Sequence, residues 1–157
     1  MSDWRYSKIT RDNAEKYEAP TGELTYILST AKETDGKVTV FDAYFPKGSG
    51  VPWHIHLLDE ELFIVISGKY TVGIGDEEFE LGPGECAIAG LHVPRAFWAT
   101  TDDARMIVVN APAGPAEGFI RYMQSLQGPP DDEVFRRCRE EFGVVFGRGD
   151  EEGALPG

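Results

Sequence analysis

The sequence predicts an all-β domain, a barrel or sandwich of short strands, followed by two short α-helices. Three observations predict it. The middle of the 157-residue chain is a series of short runs rich in β-branched and aromatic residues. Turn signals interrupt those runs at regular spacing. After Ala111 the apolar residues switch to helical periodicity.

Taken in order, residues 1–20 read as an N-terminal arm. Residues 23–30 (ELTYILST) and 37–45 (KVTVFDAYF) are the first two strands, separated by the turn Asp35-Gly36. Further strands are expected over 62–67 (LFIVIS), 70–74, 77–81, 85–89, 96–101 and 105–110. Gly48-Ser49-Gly50, Ser67-Gly68-Lys69, Gly75-Asp76, Gly82-Pro83-Gly84 and Thr101-Asp102-Asp103 supply the turns. The barrel thus spans 21–112. The run 62–67 is apolar on both faces, so another element or a second subunit should cover its outer face, and a homodimer is expected. Residues 115–126 place Phe119, Tyr122, Met123 and Leu126 on one helical face, with Pro115 suited to the first turn. Residues 131–142 begin with acids, repeat Phe135, Cys138 and Phe142, and stop at Gly143. The helical segment 113–146 is expected to pack on the outside of the barrel, and 147–157 reads as a flexible tail.

Composition narrows the function. The formal charge of −12, from 15 basic and 27 acidic residues, repels phosphate backbones and anionic lipid. Nucleic acid and membrane surfaces are therefore not expected partners, which leaves a small-molecule substrate. The first twenty residues lack the apolar run of a signal peptide, and no stretch is long enough to cross a bilayer. Cys86 and Cys138 read as two ordinary buried thiols in a reducing compartment, so a cytoplasmic protein is expected.

The chemistry concentrates in 50–68, GVPWHIHLLDEELFIVISG. His54 and His56 are two apart, so on a strand both imidazoles leave the same face. Glu61 opens the next apolar strand and shares a side with Phe63 and Val65. Two imidazoles and a carboxylate form the facial set used by non-haem iron and similar divalent metals. Asp59 and Glu60 read as solvated acids beside the site.

Gly50, His54-x-His56, Glu61 and Gly68 resemble the first conserved motif of the cupin family, and 81–100 (LGPGECAIAGLHVPRAFWAT) resembles the second. The leading glycine stands nearer the first histidine than is usual in that family. With Ala111-Pro112-Ala113-Gly114 and the Phe-containing helix, the chain is similar to small single-domain bacterial cupins related to quercetin dioxygenase. The resemblance implies a jelly-roll β-barrel and a divalent ion (Fe, Ni, Mn or Zn) held by His54, His56 and Glu61. Arg95 stands where the family places a fourth ligand, a histidine. A guanidinium has no lone pair to offer. About 5 Å from a divalent ion it would be repelled by several kcal/mol even at an effective dielectric of about 20. His92, three residues upstream, is a candidate substitute or a residue at the pocket mouth.

Arg95 reads either as a surface arginine paired with an acid or as an inward cation for a substrate carboxylate, enolate or phenolate. It shares strand parity with Phe97, which the resemblance puts in the pocket. Tyr44, Trp53, Phe63 and Trp98 are candidate aromatic walls for a planar, polyketide- or flavonoid-like ligand. Three functions compete on this reading. One is dioxygenase-like chemistry on a small aromatic or enolic molecule. Another is a non-oxidative cyclase, isomerase or dehydratase, with Arg95 and Glu61 or a histidine as catalytic groups. The third is a metal-free binding module without turnover.

Overall fold

The computed structural model describes residues 4–149. In chain order the strands are β1 (Glu15–Glu18), β2 (Leu24–Ser29), β3 (Thr39–Phe45), β4 (Gly50–His56), β5 (Glu60–Ser67), β6 (Tyr70–Ile74), β7 (Glu77–Leu81), β8 (Cys86–Ala89), β9 (Arg95–Ala99), β10 (Ala104–Ala111) and β11 (Val144–Phe146). The helices are α1 (Ala31–Thr34), α2 (Pro115–Ser125) and α3 (Asp132–Phe142). Two antiparallel sheets face each other in a jelly roll. One has the order β1-β2-β3-β10-β5-β8 and the other β11-β4-β9-β6-β7.

Period-two alternation puts the apolar half of each strand between the sheets. Phe41 and Phe45 of β3, Phe63 and Val65 of β5, Phe97 of β9 and Met106 of β10 meet there. Phe97 is central, with Phe45 5.1 Å away at 90° and Phe63 5.2 Å away. Outward on β3, the buried Asp42 carboxylate takes a bidentate pair from Arg105 and a third contact from Arg11 of the N-terminal segment.

Two glycines that bracket the histidine motif are required by the backbone. A Cβ on Gly50 would lie 2.0 Å from the Phe97 carbonyl oxygen, so only glycine lets β4 approach β9 here. Gly68, at φ 68°, makes the left-handed turn from β5 to β6, with Ala104 Cα 2.6 Å from where a Cβ would sit.

The eight expected strands all form, and both helices occupy nearly the predicted spans. β1 was hidden within the expected arm because its EKYE sequence is mostly exposed and charged. β4 carries Pro52 and a register shift between Val51 and His54, which break alternation. β11 is three residues long, too short to show a pattern. α1 is one turn fixed by a Thr30–Glu33 capping box.

The C-terminal segment does more than cover the outside. α2 presents Ala116, Phe119 and Ile120 to a cavity inside the barrel, and β11 joins the sheet through β4. Glu117 of α2 is buried and accepts from Ala31 N of α1, Gly114 N and the Thr39 hydroxyl of β3. Of the expected tail, 147–149 lie on the barrel: Gly147 N donates to Trp53 O, and Arg148 stacks 4.0 Å from the Trp53 ring. Residues 150–157 lie outside the described residues. Cys138 is buried as expected, whereas Cys86 is exposed, because it points outward from β8, the edge strand of its sheet. No helix among the described residues is long and apolar enough to cross a membrane.

Candidate metal centre

His54 and His56 project from β4 in one sheet, and Glu61 from β5 in the other. Their ligand atoms lie within 4.8 Å of one another, and all three residues are buried. Each histidine has its Nδ1 engaged. That of His54 lies 2.7 Å from the Pro52 carbonyl, and that of His56 lies 3.1 Å from both Asp59 oxygens. Donation from Nδ1 leaves both Nε2 lone pairs free, and each Nε2 stands 3.8 Å from Glu61 Oε1.

Burial pushes the His54 pKa down to about 4, against the opposing pull of Glu61. This imidazole is therefore neutral and able to ligate at neutral pH. For Glu61, burial works to raise the pKa, but the His56, His54 and Arg95 side chains and the Asn110 hydrogen bond together hold it below the usual carboxylate value. Glu61 Oε2 accepts from Asn110 Nδ2 at 3.1 Å, while Oε1 is buried without a donor among the described residues. An acceptor left unmatched between two free imidazole nitrogens is what a divalent cation would satisfy, so the residues fit one.

Asp59 is not a solvated acid. It is 0% exposed and bridges His56 Nδ1 to Asn110 Nδ2, the latter at 2.8 Å. Sequence reasoning missed both residues. Asn110 did leave a signal: on β10 it falls in the inward phase of Ala104, Met106 and Val108, a polar side chain where the pattern demands an apolar one. Glu60 does face solvent, as expected.

Arg95 is also 0% exposed, which removes the surface-arginine reading. It sits on β9 in register with His54. Nη2 donates to the Gly90 carbonyl at 2.6 Å, and Nε and Nη1 have no hydrogen-bond partner among the described residues. Burial lowers its pKa against the pull of Glu61 and Asp59, and a guanidinium still remains charged at neutral pH.

Beside the histidines and Glu61 is a cavity of about 110 Å³, lined mostly by apolar residues that include Phe41, Phe45, Val51, Phe97, Val108, Phe119, Ile120 and Val144. Phe97, which the resemblance put in the pocket, lines it, and none of the four expected aromatic walls does. Phe63 is buried in the core beside Phe97 instead. Tyr44 has the outward parity of β3 and stacks under Arg11 and Arg105. Trp53 packs its ring over Gly73, whose missing side chain makes the room, and Trp98 does not line the cavity. His92 is exposed, with φ at 66°, and only its backbone reaches the site, through N–H donation to His56 O at 2.9 Å. It is therefore not a substitute fourth ligand in this arrangement.

The cupin domain model matches residues 41–110, a stretch that runs from within β3 to within β10 and contains every ligand candidate. The chain carries a cupin domain. It is 29% identical over 117 residues to quercetin 2,3-dioxygenase of Bacillus subtilis, an alignment covering 72% of this chain and 32% of that protein. The chain thus spans about a third of that relative. Among solved structures, KdgF from Halomonas sp. superposes with a TM-score of 0.63 at 19% identity, covering 71% of this cupin and 99% of that chain. Pac13, a nucleoside dehydratase from Streptomyces, superposes at 0.58 with 15% identity, over 71% of this cupin and 87% of that chain. At such identities these likenesses show the fold alone.

Proposed function

We propose that this cupin is a metal-dependent enzyme acting on a small enolic or aromatic molecule, with dioxygenase-like chemistry. One observation carries the reading: both imidazoles are tied at Nδ1 and turn their free Nε2 atoms to the unmatched Glu61 Oε1. A divalent ion held by His54, His56 and Glu61 would supply Lewis acidity and open positions for substrate and oxygen. The chain's own residues do the rest. Pro52 O and Asp59 fix the ring orientations, Asn110 fixes the Glu61 carboxylate, and the phenylalanine-lined cavity excludes water and limits substrate size. The likeness to quercetin 2,3-dioxygenase supports oxygen chemistry. The cavity of about 110 Å³ favours a small ligand over a flavonoid, since a cavity of about 150 Å³ is filled by one benzene.

The test begins with elemental analysis of purified protein and the His54→Ala variant. Stoichiometric metal that is lost in the variant supports the reading. Native protein that takes up no iron, nickel, manganese or zinc overturns it. Oxygen uptake with small enolic compounds then tests the reaction class.

A second reading is favoured by one observation, the fully buried Arg95 cation beside the carboxylate. Arg95 would stabilise a developing oxyanion while Glu61 or a histidine moves a proton, as in a non-oxidative isomerase, cyclase or dehydratase. Turnover under strictly anaerobic conditions would establish this reading, and absolute dependence on oxygen would remove it.

A further inference from the structure

We infer that the site takes a monoanion: a small carboxylate or enolate with its charged head at Arg95 and the His54–His56–Glu61 set, and its body in the apolar cavity. The inference rests on the proposed metal site and deepens it by naming the charge class of the ligand.

Charge balance is the first support. Asp59 and Glu61 accept hydrogen bonds from His56 and Asn110 and contribute one negative charge each. Arg95 contributes one positive charge, and all three groups are buried. With a divalent ion the set carries one net positive charge away from bulk water, which is strongly disfavoured. A neutral side chain at position 95 would leave the same set uncharged. The residue present therefore leaves the set one negative charge short, and a monoanion provides it.

Unmatched donors are the second support. Arg95 Nε and Nη1 are buried without hydrogen-bond partners among the described residues, although guanidinium groups are normally well matched when buried. The placement suits a ligand. Arg95 does not itself line the cavity, but on β9 it shares parity with Phe97 and across the strands it faces His54, both of which do, so its charge lies beside an anion head held at the His54–His56–Glu61 set. The cavity is about 110 Å³ and apolar along Phe41, Val108, Phe119 and Ile120. This is of the same order as the ~150 Å³ of a cavity that binds benzene, so the body of the anion is a short aliphatic chain or a single ring.

The experiment uses the full chain loaded with Zn(II), which is redox-inert, with metal content measured before any ligand is added. Binding of isobutyrate and benzoate is then compared by calorimetry with isobutyramide and benzamide, their neutral counterparts of similar shape. Each acid is expected to bind at least about tenfold more tightly than its amide. In Arg95→Gln, which removes the charge and keeps a polar side chain, the preference is expected to fall to about threefold or less, with zinc retained. Acid and amide binding equally to the native zinc protein overturns the inference while leaving the metal site standing. A preference that stays above threefold in Arg95→Gln overturns the part assigned to Arg95. Should that variant not fold, the native acid–amide comparison decides. Failure to take up zinc overturns the metal reading and this inference together.

Discussion

Asp59 and Asn110 hold the centre together without facing the cavity. Asp59 fixes the tautomer and ring plane of His56, and Asn110 ties Asp59 to Glu61. Asp59→Asn is therefore expected to weaken metal affinity by about 10- to 100-fold with little change in fold, measurable by competition against a chelator. The sequence disclosed the three ligand candidates through their spacing but placed Asp59 in solvent. An acidic run looks the same whichever member the loop before β5 turns inward. Asp42 makes a second prediction at this scale. Burial works to raise its pKa, but the hydrogen bonds from Arg105 and Arg11 outweigh it and hold the carboxylate below its ordinary value. A depressed folded-state pKa contributes stability that is complete above the unfolded value and is lost as pH falls through the folded one. Asp42→Asn should accordingly flatten the acid side of the stability–pH curve below about pH 4, read from urea midpoints, and cost roughly 1–2 kcal/mol near neutrality.

Elements are joined here by a carboxylate that the sequence pattern did not reveal. Glu117 binds the N-terminus of α1, the start of α2 and the Thr39 hydroxyl of β3 at once. Glu117→Gln puts an amide where three donors converge, and is expected to cost roughly 2 kcal/mol, or about 5 °C in melting temperature. Because Ala116, Phe119 and Ile120 flank this anchor and line the cavity, ligand affinity should fall alongside stability. The strands that periodicity reveals are those with one wet and one dry face, such as β3 and β10. The strands it misses are a charged edge (β1), a three-residue strand (β11) and one bent by proline and a register shift (β4). The last of these carries the histidines. It was not among the expected strands, because its local sequence hid it, and the histidine spacing said only that on a strand both rings would share a face.

For the whole molecule, the homodimer expected from the sequence remains the proposal for the outer face of β5 and β8. Ile66, Ile88 and the nearby Leu91 are exposed there, and β8 is an edge strand. A dimer mass by light scattering, lost in Ile88→Glu with the barrel still folded, is the expected result; a monomer mass at micromolar concentration counts against it. A barrel or sandwich was legible from strand count and turns, and the resemblance of 50–68 and 81–100 to the cupin motifs narrowed it to the jelly roll that forms. Which aromatics enclose the ligand was not, because that depends on which face of β3 the first strands cover and on the return of a distant segment to the barrel mouth.

That returning segment divides the molecule into two inheritances. The stretch matched by the cupin domain model ends at Asn110, whereas Ala116, Phe119, Ile120 and Val144, which lie past it, form part of the cavity wall. The candidate metal ligands thus belong to the matched portion of the chain, and one side of the cavity wall belongs to the portion past it. Proteins aligned only through the barrel can share the His54–His56–Glu61 arrangement and still present a differently shaped cavity. Exchanging 111–149 between such proteins should transfer substrate choice while leaving metal affinity where it was.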